Sequence, residues 1–394
     1  MDINSISLLT IGIILFVGYF AEFIFRRFQI PDTLFLIALG VILGPYALSV
    51  VTPATFVSIA PVFTTFTLIF LLFEGSFSIN LRGLIMGANE GIKLTLFNFV
   101  LSSSIITFIL WLFGVEIVTS LFTGFALGGV SSAFVIPMLQ GLNIKSNLYS
   151  VLTLESALTD VFCIVFALTM VEIHRFGGLA LQSLISQIFA LFAVAAALGV
   201  IAAYIWINLQ KYVFKEQNYM VTFAYICILF VVTEFVQGSG AISALFFGLT
   251  LNNNKRLQNI VNNITNRRKK LKNVVSRNEE FFYKQVSFLL KTLFFVYIGI
   301  LINFGNTKAL IIGCLISIIL LGVRRFSHYV TKKNTELVNN IFARGLAAAA
   351  VGQVAVTNAL PSAMFVLEVI YVVITGTIIL SSIMIYVGRK AYVK

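Results

Sequence analysis

Charge is what this chain has least of. Only 11 % of its 394 residues are Asp, Glu, Lys or Arg, where a soluble globular protein carries about a quarter. Mean hydropathy is +1.00 and 59 % of the residues are apolar, so polar surface is too scarce to clothe a water-soluble ball of this size. A disordered chain, a collagen, a coiled coil and a disulfide-stapled secreted scaffold are excluded by the same figures. The three cysteines (Cys163, Cys227, Cys314) are far apart, each inside an apolar run. They read as core or lipid-facing filler and say nothing about redox compartment. There is no Gly-rich phosphate loop ending in Lys-Ser/Thr, no HExxH and no Cys/His cluster, and the two histidines, His174 and His328, stand far apart at helix ends. An ATP-driven pump or an intramembrane metalloprotease is unsupported, and neither enzyme chemistry nor a cofactor is expected.

What the chain does have is hydrophobic length. A spanning helix needs ~20 mostly apolar residues to cross ~30 Å of hydrocarbon. Such runs predict an all-α integral membrane protein of about thirteen transmembrane helices, near 6–28, 32–50, 59–79, 91–113, 117–141, 147–173, 179–210, 218–237, 240–253, 281–304, 308–330, 338–358 and 362–388. The runs lack the alternation of a β-barrel and are far too long for its strands. The N-terminal stretch lacks a basic flank and a small-residue cleavage site, so it is expected to stay as the first helix.

Basic residues orient the bundle. One side holds Arg26, Arg27, Arg82, Lys93, Lys145, Lys211, Lys215, Lys255, Arg256, Arg267 to Lys270, Lys272, Arg277, Lys284, Arg325, Lys332, Lys333, Arg389, Lys390 and Lys394; the other holds Arg175 and Lys308. The N-terminus is therefore expected outside and the C-terminus in the cytoplasm of a multi-pass cell-membrane protein. The net charge of +12 then faces cytoplasm and anionic lipid, with no need of nucleic acid. The basic stretch 254–280 reads as a solvated loop rather than a regulator-binding segment.

An internal repeat runs through the single transmembrane domain (1–394). TLFLIALGVILGP from Thr33 resembles ISALFFGLTLNN from Ile242, and TLIFLLFEGSFSIN from Thr67 resembles TLFFVYIGILINF from Thr292, pairing Gly40 with Gly248 and Gly75 with Gly299. Seven helices separate each pair, and an odd number turns the second copy over. The expected division is a first inverted repeat at 1–177, a linking helix at 178–217 and a second repeat at 218–394. Inverted repeats with a site at mid-membrane mark secondary transporters and argue for alternating access.

Ionisable residues inside spans cost at least ~2.5–3.5 kcal/mol each on insertion scales, so each needs a partner or a purpose. The sixth span carries Glu155, Ser156, Thr159 and Asp160, with Asp160 near midplane and Ser156, Thr159 and Asp160 on one helical face. One carboxylate with two hydroxyls is hard-oxygen ligation for a cation or a proton. The fifth span, Gly124-x-x-x-Gly128-Gly129-Val130-Ser131-Ser132 with Pro137 beyond, reads either as a broken helix aiming backbone groups at an ion beside Asp160 or as close packing through small residues. Arg344 opens the twelfth span and is expected to pair with Glu155, because an unpaired buried charge is severely destabilising. Arg324 on the eleventh is expected to compete electrostatically for Asp160. Lys291 either snorkels to the cytoplasmic face or pairs with Glu74, which is otherwise an acid close to the ion.

The chain resembles the monovalent cation:proton antiporter superfamily, and is most similar to its archaeal and bacterial sodium/proton exchanger branch. The strings that carry the likeness are IPDTLFLIALGVILGP (30–45), LIFLLFEGSFSINLRGL (68–84), GGVSSAFVIPML (128–139), LESALTDVFCIV (154–165), GSGAISALFFGLTLNN (238–253), LLKTLFFVYIGILI (289–302) and ARGLAAAA (343–350). The resemblance implies a homodimer in membrane lipid whose core contains crossed, discontinuous fifth and twelfth helices and moves as an elevator. It implies that Asp160 binds the ion and the proton, that Ser156 is a hydroxyl ligand, that Thr159 holds a place where exchangers have Asn or Asp, and that Glu155 with Arg344 forms a stabilising ion pair. Arg324 would be the basic residue near the site and Glu74 an acid approaching the ion through water; Lys291 is expected, apart from the resemblance, as a further compensating charge. The family's Thr-Asp-Pro at the fifth-helix break is here Val130-Ser131-Ser132, one carboxylate fewer.

The expected function is therefore exchange of Na⁺, or of K⁺ or Li⁺, for H⁺ at one site, with both ions competing for Asp160 and an electroneutral 1:1 stoichiometry. A K⁺/H⁺ antiporter of the same fold is the nearest alternative. A cation channel would need a continuous hydrated pore, and a sodium-coupled organic-anion symporter a roomier cavity beside the ion.

Overall fold

The structure, a computed structural model, describes residues 12–20, 23, 32–51, 60–78, 89–142, 146–175, 181–212, 219–254, 277–331 and 335–392. Among these there is no strand. The helices are α1 (Asp32–Leu43), α2 (Ala60–Ser78), α3 (Asn89–Leu112), α4 (Ile117–Ala126), α5 (Ser132–Gly141), α6 (Ser146–Arg175), α7 (Leu181–Tyr212), α8 (Tyr219–Phe235), α9 (Gly240–Asn252), α10 (Arg277–Leu301), α11 (Thr307–Arg325), α12 (Thr335–Asn340), α13 (Leu346–Thr357) and α14 (Ala363–Tyr392), with a 3₁₀ turn at Phe326–Tyr329. Six of them contain a stretch long and apolar enough to cross a bilayer by length and composition. The chain is an all-α, multi-pass membrane protein. Of the orienting cations, Arg26, Arg27, Arg82, Lys145, Lys215, Lys255, Arg256, Arg267 to Lys270, Lys272, Lys332, Lys333 and Lys394 lie outside the described residues, as does most of the basic loop.

The chain divides into two compact units, each drawn from both halves of the sequence. The first comprises 1–64, 87–175 and 289–394; the second comprises 65–86 and 176–288. Within lipid there is no hydrophobic drive between helices, so association depends on close packing at small residues. In the first unit Gly40 of α1 and Gly299 of α10 lie against each other. A Cβ on Gly40 would stand 2.1 Å from the Val296 carbonyl oxygen, and one on Gly299 2.1 Å from that of Ile37. In the second unit Gly248 of α9 meets α2, where a Cβ would fall 2.0 Å from the Ser76 hydroxyl and 2.8 Å from the Phe73 carbonyl.

Two expected spans are interrupted. The stretch 117–141 is α4 and α5 with 127–131 outside both, and 338–358 lies on α12 and α13 with 341–345 outside both. The first break falls at Gly128-Gly129, while Pro137 sits inside α5. Two adjacent glycines lose the most backbone entropy on becoming helical, and that term decides where the ladder fails. The break is present, and the same glycines also pack tightly: a Cβ on Gly128 would lie 2.2 Å from the Ser103 hydroxyl of α3.

Candidate functional site

The site is built in the first unit, where α6 passes the first break. A helix start leaves N–H groups without intrahelical partners and carries partial positive charge. At α5 that charge is met by Asp160: the Ser132 backbone N–H donates to Asp160 Oδ2 at 3.1 Å, and the Ser132 hydroxyl donates to the same oxygen. One residue earlier on α6, Thr159 Oγ1 accepts from the Val130 N–H at 3.0 Å and lies 3.1 Å from both the Val130 and Ser156 carbonyls. One turn on, Cys163 Sγ accepts from the Gly129 N–H at 3.1 Å. A Cβ on Gly129 would meet Thr159 Cβ and Cys163 Sγ at 2.7 Å. Three side chains of α6 thus take up the N–H groups that the missing helical turn leaves open. Asp160 is half-buried, while Glu155, Ser156 and Thr159 are buried.

The second break crosses the first. Ser131 N–H donates to the Ala343 carbonyl at 2.9 Å, and Gly345 leaves room for Ser131, whose hydroxyl would stand 2.0 Å from a Cβ there. Arg344 Nη1 donates to the Gly128 carbonyl at 3.0 Å and also to that of Gly129, and Nη2 reaches the Ser102 hydroxyl at 3.2 Å. Its cation lies at the C-terminal end of α4, where carbonyls left over from the helix favour positive charge. The Arg344 N–H itself donates to Thr377 Oγ1 of α14 at 3.0 Å, and the Ser381 hydroxyl caps α12 through the Asn340 carbonyl.

The buried ion pair differs from the expected one. Glu155 is held in a two-pronged grip by Arg324, not by Arg344: Nη2 donates to Oε2 at 2.8 Å and Nη1 to Oε1. Arg324 Nε donates to the Val338 carbonyl at 2.8 Å. The Asn98 amide donates to Glu155 Oε1 at 2.9 Å, and the Ser327 hydroxyl donates back to Asn98 at 3.0 Å. The expectation of Arg344 with Glu155 is corrected: Arg324, expected beside Asp160, holds Glu155 instead. The open carbonyls of the break claim Arg344, and Arg324 presents its planar fork to the carboxylate, the geometry in which guanidinium binds best.

Residues 11–387 match the family model described as sodium/hydrogen exchanger, transmembrane. The chain belongs to the sodium/hydrogen exchanger family. That is a family of transporters, so the protein is not an enzyme. The structure of the sodium proton antiporter MjNhaP1 from Methanocaldococcus jannaschii superposes with a TM-score of 0.76 at 18 % identity, covering 97 % of this chain and 100 % of that one. An electron-microscopy structure of the same antiporter gives 0.69 at 18 % identity, over 99 % and 96 %. At that identity the likeness is one of fold. Comparison with curated proteins returns no match.

The remaining sequence-selected residues of this exchanger separate. Ser156 hands its hydroxyl hydrogen to the Thr153 carbonyl of its own helix at 3.1 Å. The Lys291 ammonium lies 2.6 Å from Asp32, a partner not expected from the sequence, and Asp32 also accepts from the Thr33 N–H at the start of α1 at 2.9 Å. Glu74, half-buried on α2, belongs to the second unit. Asp32, Asn98, Ser102, Cys163 and Thr377 were not selected from the sequence. Asn98 and Ser102 carry a weak signal, two polar groups four residues apart on one helical face, in a span that also holds Thr95, Ser103, Ser104 and Thr107. A single Thr or Cys in a span carries none, since either can satisfy itself on its own helix.

Proposed function

We propose that the protein exchanges Na⁺, or Li⁺ or K⁺, for H⁺ across the cell membrane, one for one and without net charge movement, with both ions competing for Asp160. The observation that supports this most is the carboxylate itself, half-buried where two broken helices cross and met there by the N–H and O–H of Ser132. Glu155 has its charge balanced by Arg324, so the carboxylate that changes partner in each cycle is Asp160. One carboxylate releases one monovalent cation for each proton it takes, which leaves the loaded site with the same charge in both directions.

Alternating access by an elevator motion, in a homodimer with its N-terminus outside and C-terminus in the cytoplasm, completes the proposal. The inverted repeat is supported by the glycine contacts. The repeat relates α1 to α9 and α2 to α10, so it carries the Gly40–Gly299 contact of α1 with α10 onto one of α9 with α2, which is the pair Gly248 joins. The test is a pH-gradient dye assay in proteoliposomes given Na⁺, Li⁺ and K⁺ in turn, with membrane voltage clamped at several values. Dissipation by one or more of these cations at a voltage-independent rate is expected. A strongly voltage-dependent rate refutes the stoichiometry, and cation flux uncoupled from protons refutes exchange.

A further inference from the structure

The two breaks are fastened in the same way. The first N–H so held belongs to Val130, two residues ahead of α5; the second belongs to Arg344, two residues ahead of α13. Each is accepted at 3.0 Å by a threonine Oγ1 near the middle of a thirty-residue helix, Thr159 on α6 and Thr377 on α14. Each threonine hydroxyl also reaches a carbonyl of the preceding turn, Thr159 lying 3.1 Å from that of Ser156, as it does from that of Val130, and Thr377 2.7 Å from that of Val373. Both side chains are buried. Around this shared fastening the chemistry diverges. The residue after Thr159 is Asp160, whereas the residue after Thr377 is the buried Ile378; the clamped residue is apolar Val130 in one break and Arg344 in the other.

We propose that Thr377 is a positioning residue for exchange, the counterpart of Thr159, and that both threonines act as backbone clamps for the breaks. A hydroxyl that accepts a buried N–H removes the cost of leaving that donor unpaired, which is larger than the worth of an average hydrogen bond. Thr377 therefore fixes the backbone of Arg344. The Arg344 side chain in turn holds the Gly128 and Gly129 carbonyls, four and three residues before Ser132, whose N–H and O–H meet Asp160. The line from α14 to the carboxylate is thus made of direct contacts. Two other hydroxyls of α14 serve as internal controls: Thr375 donates to the Tyr371 carbonyl at 2.9 Å and Ser382 to that of Ile378, both within the helix.

The transport half of the test rests on the exchange proposed above; the hydrogen-exchange half does not. In purified full-length protein, amide exchange across 341–346 should quicken about tenfold in T377V, the isosteric variant without the acceptor, and stay at the parent rate in T377S, T375V and S382A. If T377V does not purify folded, T377A serves in its place. In proteoliposomes T377V should raise the KM for the transported cation about fivefold or more, with turnover at saturating cation within twofold of the parent, and T377S should restore it. Unchanged exchange at 341–346 overturns the clamp. Quickened exchange with an unchanged KM overturns the positioning role, as does an equal KM increase in T375V. A parent that exchanges no cation for protons sinks the proposed function while the amide measurement still decides the clamp.

Discussion

Arg324→Met should be among the most damaging single substitutions in this exchanger, and the structure says why. Glu155 and Arg324 are 1 % and 3 % exposed at their side chains, and Arg324 supplies two donors to the carboxylate and a third to the Val338 carbonyl. Removing the guanidinium leaves Glu155 buried without its counter-charge, with the Asn98 amide still donating to Oε1. Breaking a buried pair from one side costs about 3–5 kcal/mol, whereas replacing both partners by neutral groups of similar shape is often close to harmless. The double variant Glu155→Gln/Arg324→Met should therefore recover most of the loss. Arg344→Met should be destabilising for another reason, the stranded carbonyls of Gly128 and Gly129, at about 1–3 kcal/mol per unsatisfied group. Glu155→Gln should not rescue it. Denaturant or thermal unfolding of Glu155→Gln, Arg324→Met, Arg344→Met, the two double variants and the parent, in one detergent, closes both double-mutant cycles. Full stability in Arg324→Met, or rescue of Arg344→Met by Glu155→Gln, would refute the pairing.

Gly40→Ala should force α1 and α10 apart, because its Cβ would sit 2.1 Å from a backbone carbonyl, and overpacking of that kind costs about 1–3 kcal/mol or more. Gly322→Ala on α11, where a Cβ meets nothing within 4 Å, should be neutral or slightly stabilising in the same unfolding assay. Ser132→Ala removes the hydroxyl donated to Asp160 and keeps the N–H at 3.1 Å, so exchange should persist with a KM for the cation changed about threefold to tenfold; wild-type kinetics would show that the hydroxyl plays no part in ion exchange.

Much of this architecture is legible in the residues. Composition and apolar run length are enough for a helical membrane protein, and Gly128-Gly129 makes a break beside an acid in the next span one of two readings. Asp160 stands out because a charge in hydrocarbon is costly wherever it faces. The arginines do not sort themselves, since Arg324 and Arg344 lie on separate spans and either is a candidate partner for Glu155. Which of them reaches it depends on helix rotation, and rotation is set by packing that no single span records. Asp32 is overlooked for a related reason. It stands at the start of a span, where an acid is an ordinary helix opener, and the lysine it holds is 259 residues away. Thr377 is silent in sequence, and its role follows from the neighbour it touches.

The claim on which the rest depends is that one carboxylate carries both ions, and Asp160→Asn tests it most directly. Asn is close to Asp in shape but neither ionises nor takes up a proton at this pH, so the variant should fold and reconstitute like the parent while cation addition no longer dissipates a pH gradient in proteoliposomes. Cation-driven proton movement at the parent rate in a folded Asp160→Asn protein would contradict the account.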